Sequence, residues 1–271
     1  MISICAVIGL RNEAHYLPIL LPILADQGIE VAVIDHDSTD GSRDLYSAYW
    51  GNPIISVESL HYEGVYSQTR QLEAKQNIYQ KIKHDWVIHH DADEVFEDFR
   101  PNHTLRDAIQ EADEGGFDAL NFDEFVFLPK PDADFFNKNY YTGILQYYFF
   151  EPRKNRLNRA WRRGKIFNNV ASGGHTLSGE NISFFPVNHI LRHYMVLSYE
   201  HAKHKYLNRH FSQQDLMRGW HHNRLNFTED NLSIPSSSKY LFELQTYDSK
   251  GFRKDAPLSA HYWEWARLTR M

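Results

Sequence analysis

Three carboxylates follow one apolar segment within four positions of this chain. The segment is WVIHHDADE, residues 86–94, and the carboxylates are Asp91, Asp93 and Glu94. Side chains alternate in an extended chain, so Asp91 and Asp93 lie on the same side. Like charges this close repel each other, which calls for a nearby cation or a catalytic role. Two convergent carboxylates suit Mg²⁺ or Mn²⁺ with positions left open for phosphates, and a solvated acidic turn is the alternative.

A second acidic turn comes earlier, in VIDHDSTDG (33–41). Asp35 and Asp37 follow an apolar strand, and Asp40 precedes the next helix. An EF-hand counted from Asp35 needs glutamate at its twelfth position, where this chain has Tyr46, so that interpretation fails. The alternatives are a ligand-binding loop and a polar turn that caps the helix.

Composition narrows the class of protein. The net charge of −6 argues against a nucleic-acid partner. Cys5 is the only cysteine, which excludes an internal disulfide and fits a reducing compartment, so we expect a cytoplasmic protein. The longest apolar stretch, YLPILLPILA, is too short to span a bilayer, and we expect no membrane span.

The first half of the chain alternates strand-like and helix-like segments. Apolar runs predict strands at residues 3–8, 31–34, 54–57 and 86–90. Helical periodicity lies between them, which predicts an α/β fold with a mainly parallel, Rossmann-like central sheet flanked by helices. Ligands of such sheets bind beyond the carboxyl ends of the strands, where Asp35 and Asp91 lie. The alternation of strand-like and helix-like segments ends after about residue 117, and residues 199–216 are predicted to form one long helix.

Four ordered segments within residues 8–94 resemble glycosyltransferase family 2, the inverting nucleotide-sugar transferases of the GT-A fold. They are GLRNEAHYL, DHDSTDG, SQTRQLEAK and DADE. The resemblance implies a GT-A-like catalytic domain at 1–198, with a nucleotide-sugar-binding half (1–116) and an acceptor-side half (117–198). A helical C-terminal extension is expected at 199–271.

The resemblance also implies roles for individual side chains. Asp35 would bind the nucleotide base or ribose, and Arg70 the base or diphosphate. Asp91 would contact the ribose or a metal, and Asp93 would bind the Mn²⁺ or Mg²⁺ that bridges the diphosphate. The remaining residues expected at the nucleotide-sugar site are Arg11, Asn12, Glu13 and Asp37. We expect Asp35, Arg70, Asp91 and Asp93 to line one cleft.

The chain departs from the family pattern in two ways. His36 stands where many members carry a second acid, and the family's Glu-Asp pair is missing at its usual place. An inverting transfer still needs a group that accepts the acceptor hydroxyl's proton. The candidates are Glu124 and Asp123, after the strand FDALNF, and Glu180, after GGHTLSG. For Glu124 and Asp123 the alternative is a structural or acceptor-binding role.

Two of the sixteen histidines are candidate metal ligands. His175 follows a Gly-Gly turn, and His193 closes the strand-like segment NHILRHY. Members of the wider GT-A fold often use a late histidine as a further metal ligand, and imidazole suits Mn²⁺ better than Mg²⁺. The alternative for each is a hydrogen-bonded histidine without a metal.

We therefore predict a metal-dependent glycosyltransferase of the hexosyltransferase class. It would move a sugar from a nucleotide-sugar to a hydroxyl of a glycan or other acceptor, with inversion and non-processively. The rivals are a metal-dependent phosphohydrolase, a nucleotidyltransferase acting on nucleotide-sugars, and a carbohydrate-binding protein without catalysis.

Overall fold

The computed structural model describes residues 2–164, 167–207 and 209–265. The strands are β1 (Ile4–Leu10), β2 (Glu30–Asp35), β3 (Ile54–Ser59), β4 (Trp86–Asp91), β5 (Glu94–Glu97), β6 (Ala119–Phe127), β7 (Gln146–Phe150), β8 (Asn158–Arg162), β9 (His189–His193) and β10 (Phe242–Glu243). The α-helices are α1 (Leu17–Asp26), α2 (Ser42–Ala48), α3 (Gln68–Lys81), α4 (Leu105–Glu114), α5 (Tyr140–Gly143), α6 (Tyr199–Tyr206) and α7 (Gln213–Met217). Short 3₁₀ helices lie at His222–Arg224, Glu229–Leu232 and Tyr262–Glu264.

The described strands form a sheet in the order β10-β7-β6-β8-β4-β1-β2-β3, with β9 beside β6 and β5 beside β9. The strands β3, β2, β1 and β4 are parallel to one another. Beyond β4, strand β8 pairs antiparallel with both β4 and β6. The predicted α/β fold is confirmed, and the strands that follow residue 117 make the sheet mixed.

Strand β1 is buried on both faces, as expected for a parallel strand between two layers of helices. Ile4 and Ile8 join the core that contains the leucines of α1. Cys5 and Val7 point to the opposite face and pack with Ile78 of α3. The alternation of side chains along one strand thus attaches α1 to one side of the sheet and α3 to the other.

Local signals set the ends of the helices. Thr104 and Asp107 form a reciprocal capping box at the start of α4, which ends before Gly115 as the sequence predicts. Ser67 caps α3 by accepting a hydrogen bond from the backbone N–H of Arg70. Helix α1 continues through Pro22 and is not divided there, although a proline inside a helix usually kinks or breaks it.

The C-terminal part of the chain packs onto the sheet. Instead of one helix over 199–216, the structure has α6 and α7, because the chain becomes extended at Leu207 and Ser212 starts a new helix. Tyr206 and Trp263 share a core with Tyr148 of β7. Residues 266–271 of the predicted helical extension lie outside the described ranges. No helix within those ranges is long and apolar enough to cross a membrane.

Candidate functional site

The carboxyl ends of three parallel strands bring the acidic segments to one edge of the sheet. Gly9 of β1 pairs with Asp91 of β4, and Leu10 of β1 pairs with Asp35 of β2. The loops that follow these strands, which start at Arg11, His36 and Ala92, therefore meet above the same edge. This is the position where open α/β sheets bind their ligands.

A cavity of about 650 Å³ opens at this edge. Eight of the residues predicted for the site line it: Arg11, Asn12, Glu13, Asp91, Asp93, Glu124, His175 and His193. Four others are not among the described residues that line it: Asp35, Asp37, Arg70 and Asp123. The expectation of one cleft therefore holds for Asp91 and Asp93 and is corrected for Asp35 and Arg70.

Asp91 is held by two buried cations. Its Oδ1 accepts a hydrogen bond from Lys75 Nζ at 2.8 Å, and its Oδ2 lies 3.5 Å from a guanidinium nitrogen of Arg159. Burial alone would raise the pKa of Asp91, but Lys75 and Arg159 hold it well below its usual value. Asp91 is thus an anion that is already neutralised within the fold.

Arg159 also contacts Glu94, the third carboxylate of the DADE segment. The two side chains are 2.7 Å apart, and both are almost fully buried. Burial raises the pKa of Glu94 to about 8, and the charge of Arg159 opposes that rise. Neighbouring cations and this raised pKa together relieve the like-charge repulsion that the sequence presents. We call the following group the carboxylate cluster: Asp91, Asp93, Glu94, Lys75 and Arg159.

Asp93 faces a histidine and a lysine. Its Oδ2 lies 2.8 Å from Lys205 Nζ and 3.5 Å from His193 Nε2. The other ring nitrogen of His193, Nδ1, lies 2.6 Å from Glu124 Oε1. Burial would lower the pKa of His193, but the carboxylates of Asp93 and Glu124 raise it well above its usual value. The ring is therefore fixed in orientation between two acids.

Four residues were predicted as metal ligands: Asp91, Asp93, His175 and His193. Among them, Asp93 and His193 fit a divalent cation best. A carboxylate oxygen of Asp93 and an imidazole nitrogen of His193 lie 3.5 Å apart, and Glu124 orients the imidazole as acids do beside metal-bound histidines. A cation bound between them would replace the proton that the raised pKa of His193 keeps on its ring. Asp91 is occupied by its two cations, and His175 makes no ion pair with either aspartate in the described residues. In the described part of the chain, no three His, Cys, Asp or Glu side chains form a metal site by themselves. A cation here would need further ligands from a bound molecule.

The turn after β2 is held by hydrogen bonds within its own segment and by hydrogen bonds from the loop after β1. The buried carboxylate of Asp35 accepts hydrogen bonds from Ser38 N and Tyr46 Oη, each at 2.9 Å. Arg11 donates to the carbonyls of His36 and Asp37 at 2.6 Å and stacks on Tyr62, 3.4 Å from the ring centre. Asp35 is thus placed to hold the turn rather than to touch a ligand, because its oxygens are used inside the fold.

Asp37 lies outside the cavity as well. Its carboxylate accepts a hydrogen bond from the backbone N–H of Tyr62 at 2.8 Å and lies 2.9 Å from His61 Nδ1. These contacts join the turn after β2 to the segment after β3. Asp37 thus joins two loops, and its contact with a nucleotide stays a prediction.

Arg70 was the residue of helix α3 predicted to bind the nucleotide, but it is not among the described residues that line the cavity. Arg70 pairs with Glu63 at 2.8 Å on the outer side of the helix. Four other residues of α3 line the cavity: Gln68, Gln71, Leu72 and Lys75. A signal for Lys75 was present in the sequence, since this lysine stands on the buried stripe of the helix between Leu72 and Ile78.

Of the three candidate bases, only Glu124 is among the described residues that line the cavity. Asp123 and Glu124 are neighbours on β6 and point to opposite faces, and Asp123 bonds to Asn188 and Lys254. Glu124 is engaged through both oxygens, by His193 and by Arg156 at 2.5 Å. Burial would raise the pKa of Glu124, but these partners lower it strongly. A carboxylate so stabilised as an anion is a weak proton acceptor.

The C-terminal segment contributes residues that sequence reasoning missed. Lys205, Arg209, Arg224, His261 and Trp263 all line the cavity. Hydrophobic periodicity did not predict these residues at the site, because their position depends on how the C-terminal segment packs against the sheet. The residues expected to lie in an extension thus complete the site.

The chain was compared with known proteins. No family model matches it, and no curated protein matches it. Among solved structures, it is similar to S. aureus TarS 1–349, alone and in complex with UDP. Each has a TM-score of 0.46 and 15% identity over 85% of this chain and 69% of that chain. It is also similar to mannose-1-phosphate geranyltransferase from Thermus thermophilus, with a TM-score of 0.31 and 10% identity over 69% and 58% of the two chains. Similarity at this level assigns neither an activity nor a ligand to this chain.

Proposed function

We propose that this chain is a glycosyltransferase of the GT-A type. It transfers a sugar from a nucleoside-diphosphate sugar to an acceptor hydroxyl, with inversion and one sugar at a time. The observation that carries the proposal is the convergence of four separate segments on one cavity. These are the loop after β1, the turn after β2, helix α3 and the DADE segment, represented there by Arg11, Thr39, Lys75 and Asp93.

The charges of the cavity suit a leaving group that gains negative charge. Lys75 lies beside Asp91, and Arg159 lies beside Glu94, so these two cations are held in fixed positions before any substrate binds. Preorganised charges of this kind stabilise a transition state because they need no reorganisation during the reaction. Buried in the cavity wall, they act in an environment that screens them less than water does.

Asp93 and His193 would hold a Mn²⁺ or Mg²⁺ ion, with Glu124 orienting His193. When bound, such an ion would neutralise the diphosphate of the departing nucleotide. Lys205 shares the same oxygen of Asp93, so it has to move aside or turn towards the substrate. The two aspartates of the DADE segment therefore have different roles. Asp91 stays bound to Lys75 and Arg159, whereas Asp93 exchanges Lys205 for the metal ion.

The geometry does not favour the rival phosphohydrolase. Such enzymes carry their His-Asp ligands on helices, whereas His89, His90 and Asp91 belong to strand β4. His89 lies 3.2 Å from Lys75 Nζ and 3.0 Å from Asn169 Nδ2, so its two ring nitrogens are already engaged.

The test measures ligand binding and turnover in the same protein. A panel of UDP-, GDP-, dTDP- and ADP-sugars is screened for an increase in melting temperature with Mn²⁺ or with EDTA. A ligand at 100 times its Kd stabilises the native state by about 2.7 kcal/mol. The best donor is then used to measure transfer by wild type and by the Asp93→Asn variant, which keeps the shape but loses a charge. We expect kcat/KM to fall by about 10²–10³-fold in that variant.

Asp132→Asn is the matched control, because Asp132 belongs to a second D-x-D sequence in an exposed loop. Its activity should equal that of wild type. Full activity of Asp93→Asn, or of wild type in EDTA, would rule out the metal-assisted mechanism. If no nucleotide-sugar stabilises the protein, the glycosyltransferase proposal itself fails.

A further inference from the structure

Two arginines of the C-terminal segment, Arg209 and Arg224, reach the cavity without an acidic partner. The guanidinium of Arg209 lies over the rings of Tyr66 and Tyr206, at 4.9 and 5.7 Å from their centres. That of Arg224 lies 5.7 Å from the ring centre of Phe211. Across the described ranges, neither makes an ion pair with an aspartate or a glutamate. We call Arg209 and Arg224 the arginine pair.

The fold holds the arginine pair in place through contacts with the start of α3. The buried Asp215 accepts hydrogen bonds from the backbone N–H groups of Gln68 and Thr69 at 2.7 and 3.0 Å. The backbone of Tyr66 bonds to residues on either side of Phe211, at His210 and Ser212. Residues 209–224 are thereby fixed against the edge of the sheet that opens into the cavity.

His221 directs Arg224 towards this site. A guanidinium nitrogen of Arg224 donates to His221 Nδ1 at 2.5 Å, which requires that nitrogen to be unprotonated. Burial and then the charge of Arg224 lower the pKa of His221 to about 3, so its ring stays neutral. A neutral ring positions the guanidinium and leaves its charge uncompensated.

Burial raises the pKa of Glu13 to about 7, and the charges of Lys205 and Arg209 oppose that rise, but the described residues show no ion pair between Glu13 and Arg209. Four other acidic side chains of the cavity pair with other cations. Asp91 and Glu94 pair with Arg159, Asp93 pairs with Lys205, and Glu124 pairs with Arg156. Burial, and to a smaller degree the charge of Arg209, lowers the pKa of Arg224. Two like charges in one partly buried place are unfavourable unless an anion joins them.

We propose that the arginine pair binds a phosphoryl group in this cavity. Two guanidinium groups match the charge of a phosphate dianion and can each present paired N–H donors to its oxygens. The phosphoryl group is either the diphosphate of the sugar donor or a phosphate carried by the acceptor. The choice between these sources rests on the proposed function, whereas binding of the anion does not.

Calorimetry with pyrophosphate and with inorganic phosphate tests the site. Wild type is compared with Arg209→Gln, with Arg224→Gln and with the double variant. Each single variant should bind pyrophosphate about tenfold more weakly or worse, since a hydrogen bond to a charged group contributes about 1.5–3 kcal/mol. Arg218→Gln is the matched control. Arg218 is an exposed arginine of the same segment that lies against Trp220 outside the cavity, and its loss should leave binding unchanged. Circular dichroism and melting temperature show that each variant is folded.

A second arm identifies the source of the phosphoryl group. The titrations are repeated with the protein saturated with UDP, or with whichever nucleoside diphosphate binds best. Competition between pyrophosphate and the nucleotide assigns the arginine pair to the donor diphosphate. Binding of inorganic phosphate alongside the nucleotide assigns it to a phosphorylated acceptor.

The outcomes separate this inference from the proposed function. Equal pyrophosphate affinity in wild type and the double variant, or no binding of either anion to wild type, overturns the phosphoryl site even if sugar transfer is observed. Loss of anion binding in the arginine variants supports the site even if no nucleotide-sugar is turned over.

Discussion

Two groups of basic side chains face the same cavity, and they differ in what neutralises them. In the carboxylate cluster each cation has an acidic partner, as the buried Lys75 has Asp91 at 2.8 Å. In the arginine pair the neighbours are aromatic rings and a neutral histidine. A charge neutralised by the fold contributes to rigidity and stability, whereas a charge left without a partner is available to a ligand. The difference predicts opposite results when arginines of the two groups are replaced.

The largest effect on stability is expected for Arg159→Met in the carboxylate cluster. The variant removes one of the two cations that hold Asp91 as an anion, and it leaves Glu94 without its partner at 2.7 Å. Removal of one partner of a buried ion pair lowers the free energy of unfolding by about 3–5 kcal/mol. Urea denaturation at pH 7 measures the change. Arg153→Met is the control, because Arg153 pairs with Glu151 at the surface and should contribute less than about 1 kcal/mol. Equal losses in the two variants would contradict the assignment.

A smaller, pH-dependent effect is expected at His221, which orients Arg224. The pKa of His221 is lowered to about 3, whereas the unfolded residue titrates near its ordinary value. The unfolded state therefore binds the extra proton first, and stability is lost as pH falls from about 6.5 towards 3. Arg224, at 2.5 Å, opposes protonation in the fold, and Asp215, at 4.0 Å, favours it.

His221→Asn removes this titration and keeps an acceptor for Arg224. Asparagine also tolerates the positive φ of 65° at this position. Between pH 6 and 4.5 the wild type should lose about 1–2 kcal/mol more unfolding free energy than the variant. Urea denaturation across this range measures the difference. Parallel pH profiles would show that His221 is not held neutral by its surroundings.

The smallest effect on stability is expected for the double variant Arg209→Gln/Arg224→Gln. Relief of the repulsion between the two guanidinium groups offsets lost packing on the aromatic rings, so the free energy of unfolding should change by less than about 1 kcal/mol. The measurement is made in a buffer free of phosphate, since a bound anion would stabilise the wild type. A loss as large as that of Arg159→Met would show that the arginine pair has an acidic partner within the protein.

Local patterns in the sequence were sufficient to predict the parallel strands of the sheet. Strand β4 and its acidic end are visible in WVIHHDADE, because burial on both faces requires a continuous apolar run. The break between α6 and α7 was not predicted. The second of these helices contains Asp215, whose carboxylate accepts a hydrogen bond from Gln68 at the start of α3, 147 positions away along the chain.

The site was predictable where the chemistry is concentrated in a motif. Asp93 and His193 were named from their strand ends, and they lie within 3.5 Å of each other. Lys205 and Arg224 were not named, because a single basic residue in a polar segment looks the same whether it faces solvent or a cavity. Arg70 shows the reverse error, since a helix has several faces and a motif does not specify which one meets the sheet.

By itself, the sequence determined which chemical groups are present and how they alternate along each strand. That is why Asp91 and Asp93 were expected at one edge of a sheet. Only the tertiary structure decided which charges are neutralised. Asp93 and Lys205 are 112 positions apart, and their contact at 2.8 Å depends on the packing of the C-terminal segment against the sheet. Ion pairing falls off with distance, and distances between remote segments are set by packing rather than by local periodicity.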